Sequence, residues 1–232
     1  LMGAAPALAC GVGDISITSP SQDGITNTLT IAAAKVAGIE TIYRIGGAQA
    51  IAALAIGTDQ ISKVDKIIGP GNIFVAEAKK QLFGEVGIDS IAGPSEILIL
   101  ADSSSNPETI AWDLMAQSEH DSDASGVLIS DSEEIIDDVK EIISTEIDSL
   151  ERCSIIKESI QTNGLIIKID NFSEAKQLVN TIAPEHLHLA FDHANYRDEN
   201  SLIAGLILKG EHSANSFSDY VLGPSHILPT NS

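Results

Sequence analysis

Short apolar strand patterns alternate with helix patterns along most of the chain. Ile15 to Thr18 alternates between apolar and polar residues, but the strand patterns as a set do not alternate cleanly, and such strands are covered on both faces. This rhythm predicts an α/β fold built on parallel sheets. The first series has strands at 15–18, 41–45 and 66–68, each followed by a helix, at 26–36, 48–56 and 73–82.

A second series begins beyond the turn Ala92-Gly93-Pro94, which we take as the domain boundary. Asn106 followed by Pro107 predicts the start of a helix, because asparagine caps helices and proline suits the first helical position. Two Rossmann-like, incomplete parallel-sheet units in succession are therefore expected, over residues 1–94 and 95–232. The second unit has strands at 96–100, 126–130, 165–169, 186–190 and 202–208, and further helices at 132–150 and 173–181.

Charge excludes some partners. The 33 acidic residues outnumber the 13 basic ones and give a formal net charge of -20, which repels phosphate backbones and anionic lipid surfaces. Nucleic acid and membrane partners are therefore not expected, and no apolar run approaches the length of a membrane span. The first residues lack a basic targeting region. Cys10 and Cys153 are widely separated, as expected of reduced thiols in a cytoplasmic protein.

Two glycine turns follow strands of the first series. Gly69-Pro70-Gly71-Asn72 opens a helix, where backbone N–H groups and the helix dipole favour an anion. The spacing is not that of the dinucleotide fingerprint, and Gly-Pro-Gly is more often a simple turn. Gly46-Gly47-Ala48-Gln49 is placed in the same way. Both turns are expected at the carboxyl edge of a parallel sheet, where ligands usually bind.

Side chains suited to metal binding or acid–base chemistry recur in three later segments. Gln117 and His120 stand three positions apart at the end of a predicted helix, so they share a face. Pro184-Glu185-His186 places a carboxylate beside an imidazole. Asp219-Tyr220 is followed by Gly223-Pro224-Ser225-His226. Each segment alone has a structural explanation, as a helix cap, a surface pair or a turn.

Together, in this order, these segments resemble the L-histidinol dehydrogenase family, and the resemblance runs from Leu1 to Ser232. Family members carry more chain on both sides, so we expect an internal segment that lacks an upstream nucleotide loop and a C-terminal region. The motifs that carry the resemblance are Arg44 to Thr58, Val64 to Val75, Ile88 to Asp102, A-Q-S-E-H-D, P-E-H-L and D-Y-V-L-G-P-S-H-I-L-P-T.

The resemblance implies an NAD-dependent, zinc-assisted oxidation of L-histidinol through L-histidinal to L-histidine. It also implies a homodimer, in which a histidine from the partner's C-terminal region completes the zinc site. The first unit would then bind NAD, and the second would carry the metal and catalytic residues. The implied roles are Gln49 and Asn72 for NAD; Gln117, His120 and Asp219 for zinc; Glu185 and His186 for catalysis; and Ser95, Gln117, His120, His186, Asp219 and His226 for the substrate.

The residue chemistry agrees with part of this assignment. Oxidising an alcohol to an acid needs a base for the hydroxyl proton and, in the second stage, an activated water. His186 suits the first task because imidazole titrates near neutral pH, and Glu185 suits the second. On a strand the two would point to opposite faces, so a distortion starting at Pro184 is expected to turn both inward. Gln117 enters by resemblance alone, because an amide oxygen is a weak zinc ligand.

Three other histidines are not nominated as ligands. His188 is expected to pack along its strand, His193 lies in a polar loop, and His212 lies in a turn beside Glu211.

The chain departs from the family pattern at two places. Phe74 stands where tyrosine is common, and Gly210 to Ser218 differs from the usual Thr-Pro-Glu and Gly-Asp-Tyr pattern, while Asp219 itself matches. Two alternatives stay open: a metal-free dinucleotide-binding module, in which Gln49 and Asn72 still bind nucleotide, and a purely structural α/β piece, in which both are helix caps.

Overall fold

A computed structural model describes residues 1–21, 24–91, 93–191 and 201–218. The chain divides into two compact units, and the second begins at Gly93. Every strand pairing in the described parts of both units is parallel, which confirms the predicted α/β class.

The first unit holds four short strands in two separate two-stranded sheets, β1 with β2 and β3 with β4. A small core cluster that includes Ile51, Leu54 and Ile67 lies between α3, α4 and the second of these sheets. The two-residue strand β4 was not predicted, because so short a segment has no periodicity. The elements are α1 (Ala4–Ala9), β1 (Ser16–Thr18), α2 (Thr28–Val36), β2 (Thr41–Tyr43), α3 (Gly47–Ile56), β3 (Lys66–Ile67), α4 (Ile73–Leu82) and β4 (Gly87–Ile88).

The second unit is built on one five-stranded sheet with the order β7-β6-β5-β8-β9, so β5 is central. The elements are β5 (Glu96–Ala101), α5 (Pro107–His120), β6 (Ser125–Ser130), α6 (Glu133–Glu146), α7 (Cys153–Asn163), β7 (Leu165–Lys168), α8 (Phe172–Ile182), β8 (His186–Leu189) and β9 (Leu206–Lys209).

Both faces of this sheet are covered, as the apolar runs of β5 and β6 predict. Ile97 and Ile99 of β5 face a cluster made with α5 and α6. Leu98 and Leu100 face the opposite cluster, made with α8 and β8. All four side chains are almost fully buried, and each such burial stabilises the fold by about 1.5–3 kcal/mol. The sheet is therefore a rigid platform for residues at its edges.

Local boundaries follow the capping residues. The Asn106 side chain accepts hydrogen bonds from the backbone N–H groups of Glu108 and Thr109, and Pro107 is the first residue of α5, as predicted. The helix predicted over 132–150 ends earlier, at Glu146, and a short 3-10 helix, Ile147–Ser149, follows it.

Two further expectations about the second unit were incomplete. Helix α7 was missed, although Ile156 packs with Met115 of α5 in a buried cluster. The strand predicted over 202–208 spans only Leu206–Lys209, because its pairing with β8 begins at Leu206.

Both cysteines are free thiols, Cys10 exposed and Cys153 partly buried. Within the described ranges, every helix is too short or too polar to cross a lipid bilayer.

Candidate functional site

The candidate catalytic residues of the second unit lie at the amino-terminal edge of the five-stranded sheet. His186 is the first residue of β8, and it pairs with Ile97 near the start of β5. Helix α5 leaves the carboxyl edge after β5 and returns to the start of β6, so its last residue, His120, lies at the same amino edge. Ser95 also lies there, and its carbonyl accepts a hydrogen bond from the N–H of Ser125 at 3.0 Å.

Glu185 and His186 meet at the backbone of Glu96. The Glu96 N–H donates to Oε2 of Glu185 at 3.2 Å, and Nδ1 of His186 lies 3.1 Å from the Glu96 carbonyl oxygen. The same Glu185 oxygen is 3.5 Å from His186 Nδ1, and both side chains are buried. One residue of the central strand thus holds the carboxylate and the imidazole together.

The backbone between α8 and β8 has one left-handed residue, at the C-cap of α8, and the distortion expected to begin at Pro184 stays a prediction. Ala183, the residue after α8, has a left-handed backbone with φ 47°, and among the described residues it is the one non-glycine with positive φ. Pro184 follows and is buried. Glu185 precedes the first paired residue of β8, so the face alternation of a strand does not apply to it.

The Glu96 side chain adds a second carboxyl group at this edge, beside that of Glu185. Burial raises the pKa of the Glu96 carboxyl, and a backbone hydrogen bond from Glu185 partly offsets that effect. Oxygen Oε2 of Glu96 is buried without a hydrogen-bonding partner in the described structure. Sequence reasoning did not single out Glu96. The one feature of the sequence that could have indicated a role for Glu96 is its position directly after Ser95, a proposed substrate contact.

Gln117 and His120 lie on the last turns of α5, but their surroundings differ. Gln117 is buried, and its Oε1 accepts a hydrogen bond from Nδ2 of Asn215 at 2.9 Å. His120 is exposed. The expected third ligand, Asp219, and the substrate candidate His226 lie outside the described residues, as does His193. In the described parts of the chain, no three His, Cys, Asp or Glu side chains group closely enough to hold a metal ion.

A buried polar network adjoins Gln117. His188 is fully buried, as expected of a packed strand residue, and its Nδ1 lies 3.0 Å from Oδ2 of Asp113. Its Nε2 lies 3.0 Å from the carbonyl oxygen of Gly210. Oδ1 of Asp113 accepts the backbone N–H of Asn215 at 2.9 Å. Asp113 was missed, although it stands four residues before Gln117 on the same helix face.

In the first unit, the Gly69 to Asn72 turn is held by a buried ion pair. Lys79 Nζ lies 2.7 Å from Oδ1 of Asp89 and donates to the Gly69 carbonyl oxygen at 2.5 Å. Oδ2 of Asp89 accepts the N–H of Gly69 at 2.7 Å. Burial acts to raise the pKa of Asp89, but hydrogen bonds from Lys79, Gly69 and Ser90 together lower it.

The two residues expected to contact NAD are both exposed and lie at helix starts. Asn72 is the N-cap of α4, and its side chain accepts from the N–H of Val75 at 3.2 Å. Gln49 lies in the first turn of α3. Its side-chain amide is close to Gly47: a Cβ added to Gly47 would lie 3.0 Å from Gln49 Oε1. Asn72 therefore acts as a cap here, and a nucleotide role for either residue stays a prediction.

Comparison with known proteins gives the family. The histidinol dehydrogenase family model matches residues 1–232. The chain belongs to the histidinol dehydrogenase family. Histidinol dehydrogenase from Gluconobacter oxydans is 46% identical over 233 residues, which is 100% of this chain and 54% of that protein. Histidinol dehydrogenase from Clostridium acetobutylicum is 47% identical over 232 residues, with 54% of that protein covered. The chain thus spans about half the length of these relatives.

Solved structures agree with the family assignment. The crystal structure of histidinol dehydrogenase from Elizabethkingia anophelis matches with a TM-score of 0.94 and 36% identity, over 99% of this chain and 53% of that one. Betaine aldehyde dehydrogenase from Staphylococcus aureus has a TM-score of 0.59 at 12% identity, over 90% of this chain and 56% of that one. The second likeness concerns the fold alone.

Proposed function

We propose that this chain is part of an NAD-dependent, zinc-assisted histidinol dehydrogenase, which oxidises L-histidinol through L-histidinal to L-histidine. Family membership supports the reaction. The observation that supports specific residue roles is that Glu185 and His186 both contact the Glu96 backbone. They lie at the sheet edge where α5, which contains Gln117 and His120, ends.

His186 is the proposed base for the hydroxyl proton of the substrate. The Glu96 carbonyl can only accept a hydrogen bond, so a neutral His186 ring carries its proton on Nδ1 and donates it there. Nε2 is then the nitrogen that can take a proton. The backbone contact thereby fixes both the tautomer and the orientation that a base needs.

Glu185 is the proposed activator of water in the second stage. The first stage removes a hydride and a proton from the alcohol carbon and hydroxyl, giving the aldehyde and NADH. In the second stage, water adds to the aldehyde, and a further hydride leaves to a second NAD. A carboxylate can accept the proton that this water loses, and the Glu96 N–H holds Glu185 in place beside His186.

Gln117, His120 and Asp219 are the proposed zinc-binding residues. The described pair supplies an imidazole nitrogen, which is an ordinary zinc donor, and an amide oxygen, which is a weaker one, on neighbouring turns of α5. Zinc, when bound, would orient the imidazole and amine of histidinol. Ser95, with His226, is the further proposed substrate contact.

The turn from Gly69 to Asn72 and the turn ending at Gln49 are the proposed NAD-binding elements. The turn itself requires glycine at position 71, because an added Cβ would lie 2.5 Å from Val75 Cγ1. The Lys79 and Asp89 contacts occupy both polar groups of Gly69, and so hold the backbone in one conformation.

The remaining partners follow from family and charge. A homodimer with a site completed by the partner subunit is proposed, in the cytoplasm, with the small-molecule substrate and neither nucleic acid nor membrane as partner. The net charge of -20 supports the last point.

Turnover and zinc content of the protein from the complete reading frame test the proposal. Histidinol should yield two equivalents of NADH and one of histidine, and histidinal should yield one of NADH. One tightly bound zinc per subunit is expected. NAD binding without turnover or zinc would favour the dinucleotide-binding module, and the absence of all three would favour a structural piece.

A further inference from the structure

Asn215 is at the centre of a set of hydrogen bonds that joins three parts of the second unit. Its backbone N–H donates to Asp113 Oδ1 at 2.9 Å, and its side-chain Nδ2 donates to Gln117 Oε1 at 2.9 Å. It opens the 3-10 helix Asn215–Phe217, within the stretch that departs from the usual family pattern. The residue thus ties this stretch to α5 at two points, one turn apart.

The anchor of Asn215 is itself fixed. The Asp113 side chain is 2% exposed, and its second oxygen, Oδ2, faces the fully buried His188. The other ring nitrogen of His188 faces the carbonyl of Gly210, at the end of β9. Each contact is 3.0 Å or shorter, so the Asp113 carboxylate is held from two sides, by the His188 ring and by the Asn215 N–H.

The hydrogen bond between the Asn215 and Gln117 side chains determines whether the oxygen or the nitrogen of the Gln117 amide faces Asn215. An amide can present its oxygen or its nitrogen, and only the oxygen can ligate a cation. Because Asn215 Nδ2 is a donor, it selects the orientation in which Gln117 Oε1 faces it, and the oxygen keeps a second lone pair. Without that donor the amide is able to rotate.

We propose that Asn215 is a positioning residue for Gln117, anchored through Asp113 and His188, and that it holds the Gln117 oxygen ready for metal binding. The inference rests on the proposed function, because it assumes that Gln117 is a zinc ligand. Partners that orient ligands in this way commonly change metal affinity by about 10- to 100-fold when they are removed.

The test measures zinc affinity in the full-length protein by competition with a chromogenic chelator. Asn215→Ala should weaken zinc binding by about 10- to 100-fold, and the cobalt-substituted variant should have an altered visible spectrum. Asn215→Leu keeps the side-chain volume and the backbone N–H, so it should show the same loss if packing is not the cause.

Asn180→Ala is the matched control. The Asn180 amide also uses both ends, donating to the Ser201 carbonyl at 2.9 Å and accepting the Ile203 N–H at 2.8 Å, but it lies on α8, away from α5. It should lower the melting temperature and leave zinc affinity and the cobalt spectrum as in the wild type.

Three outcomes separate the inference from the function on which it rests. Weakened zinc binding in both Asn215 variants, but not in Asn180→Ala, supports the inference. If Gln117→Ala weakens zinc while both Asn215 variants bind it like the wild type, the positioning role is wrong and the proposed function stands. If the wild type binds no zinc, or Gln117→Ala binds it normally, the metal assignment fails and the inference fails with it.

Discussion

Lys79 and Asp89 form a buried ion pair, 2.7 Å from Nζ to Oδ1, and each also holds one polar group of Gly69. Their side chains are only 5% and 10% exposed. Burial of two charges is costly, and here the cost is offset by mutual attraction and by the backbone hydrogen bonds. The pair therefore links the stability of the first unit to the shape of its glycine turn.

Lys79→Met should lower the free energy of unfolding by about 3–5 kcal/mol, because it leaves the Asp89 charge buried and unpaired. The double change Lys79→Met with Asp89→Leu should recover most of that loss. Denaturant unfolding measures both. Lys140→Met, which breaks the exposed pair with Asp137, is the control and should have little effect. A loss no larger than that of the control would mean that the buried pair does not stabilise the turn.

The lowered pKa of Asp89 predicts that the protein loses stability in acid. The pKa of Asp89 in the folded state is below its ordinary value of 3.8, so the folded state binds this proton less tightly than the unfolded state. The stabilisation is therefore fully present above that value and is lost as the pH falls through the folded-state pKa. Asp89→Asn should be less stable near neutral pH and should lose less stability on acidification.

Asp131→Asn is the control for this pH dependence. Burial and the charge of Asp102 raise the pKa of Asp131, so its ionised form destabilises the fold as the pH rises through the ordinary value of 3.8. The substitution should slightly increase stability at neutral pH, opposite in sign to Asp89→Asn. The same sign for both variants would contradict the assignment.

Gly71→Ala should destabilise the first unit by about 1–3 kcal/mol through overpacking. An added Cβ would lie 2.5 and 2.6 Å from Cγ1 and Cβ of Val75. Combining it with Val75→Ala should restore part of the loss. Gly13→Ala, where nothing lies within 4 Å, is the control, and thermal unfolding is the measurement. Equal melting temperatures for Gly71→Ala and Gly13→Ala would rule out the close contact.

Ala183→Gly should stabilise the second unit by about 1 kcal/mol, because the left-handed backbone at φ 47° is unfavourable for a residue with a Cβ. Ala175→Gly, in the interior of α8, should instead destabilise it. Denaturant midpoints compare the two. A destabilising effect of Ala183→Gly would show that the conformational entropy that glycine adds to the unfolded state matters more than backbone strain at this position.

In the full-length protein, Glu185→Gln should slow the aldehyde-to-acid stage more than the alcohol-to-aldehyde stage, whereas His186→Ala should damage both. An amide cannot accept the proton of the attacking water, and a general base contributes about 10²- to 10⁴-fold. Single turnovers begun from histidinol or from histidinal separate the stages. An equal slowing of both stages by Glu185→Gln, with unchanged zinc content, would reassign Glu185 to positioning His186.

Much of the fold could be predicted from local patterns. Helix α4 has the predicted bounds, and Asn106 with Pro107 gave the start of α5 correctly, because capping and proline geometry are local properties. Helix α7 was missed since its buried face depends on Met115, far away in sequence.

The candidate site was predictable only in part. Glu185 and His186 could be predicted as a pair because they are adjacent in the sequence, and Pro184 before them was the reason to expect that both turn inward. The role of Glu96 could not be predicted, because the contact of its backbone with Glu185 joins residues that are 89 positions apart in the sequence. The amino-edge location was not predicted, although His186 begins the predicted strand 186–190 and Ser95 precedes the predicted strand 96–100, because ligands of parallel sheets usually bind at the carboxyl edge.

The two histidines of β8 also determine how that strand must be aligned during folding. His186 and His188 point to the α5 side of the sheet, while Leu187 lies in the apolar cluster on the α8 side. A slip of one residue against β5 would place both imidazoles among aliphatic side chains and remove His188 from Asp113 Oδ2. Misaligned β8 is therefore strongly disfavoured, and substitutions that remove either ring should make strand pairing less exact as well as altering the chemistry.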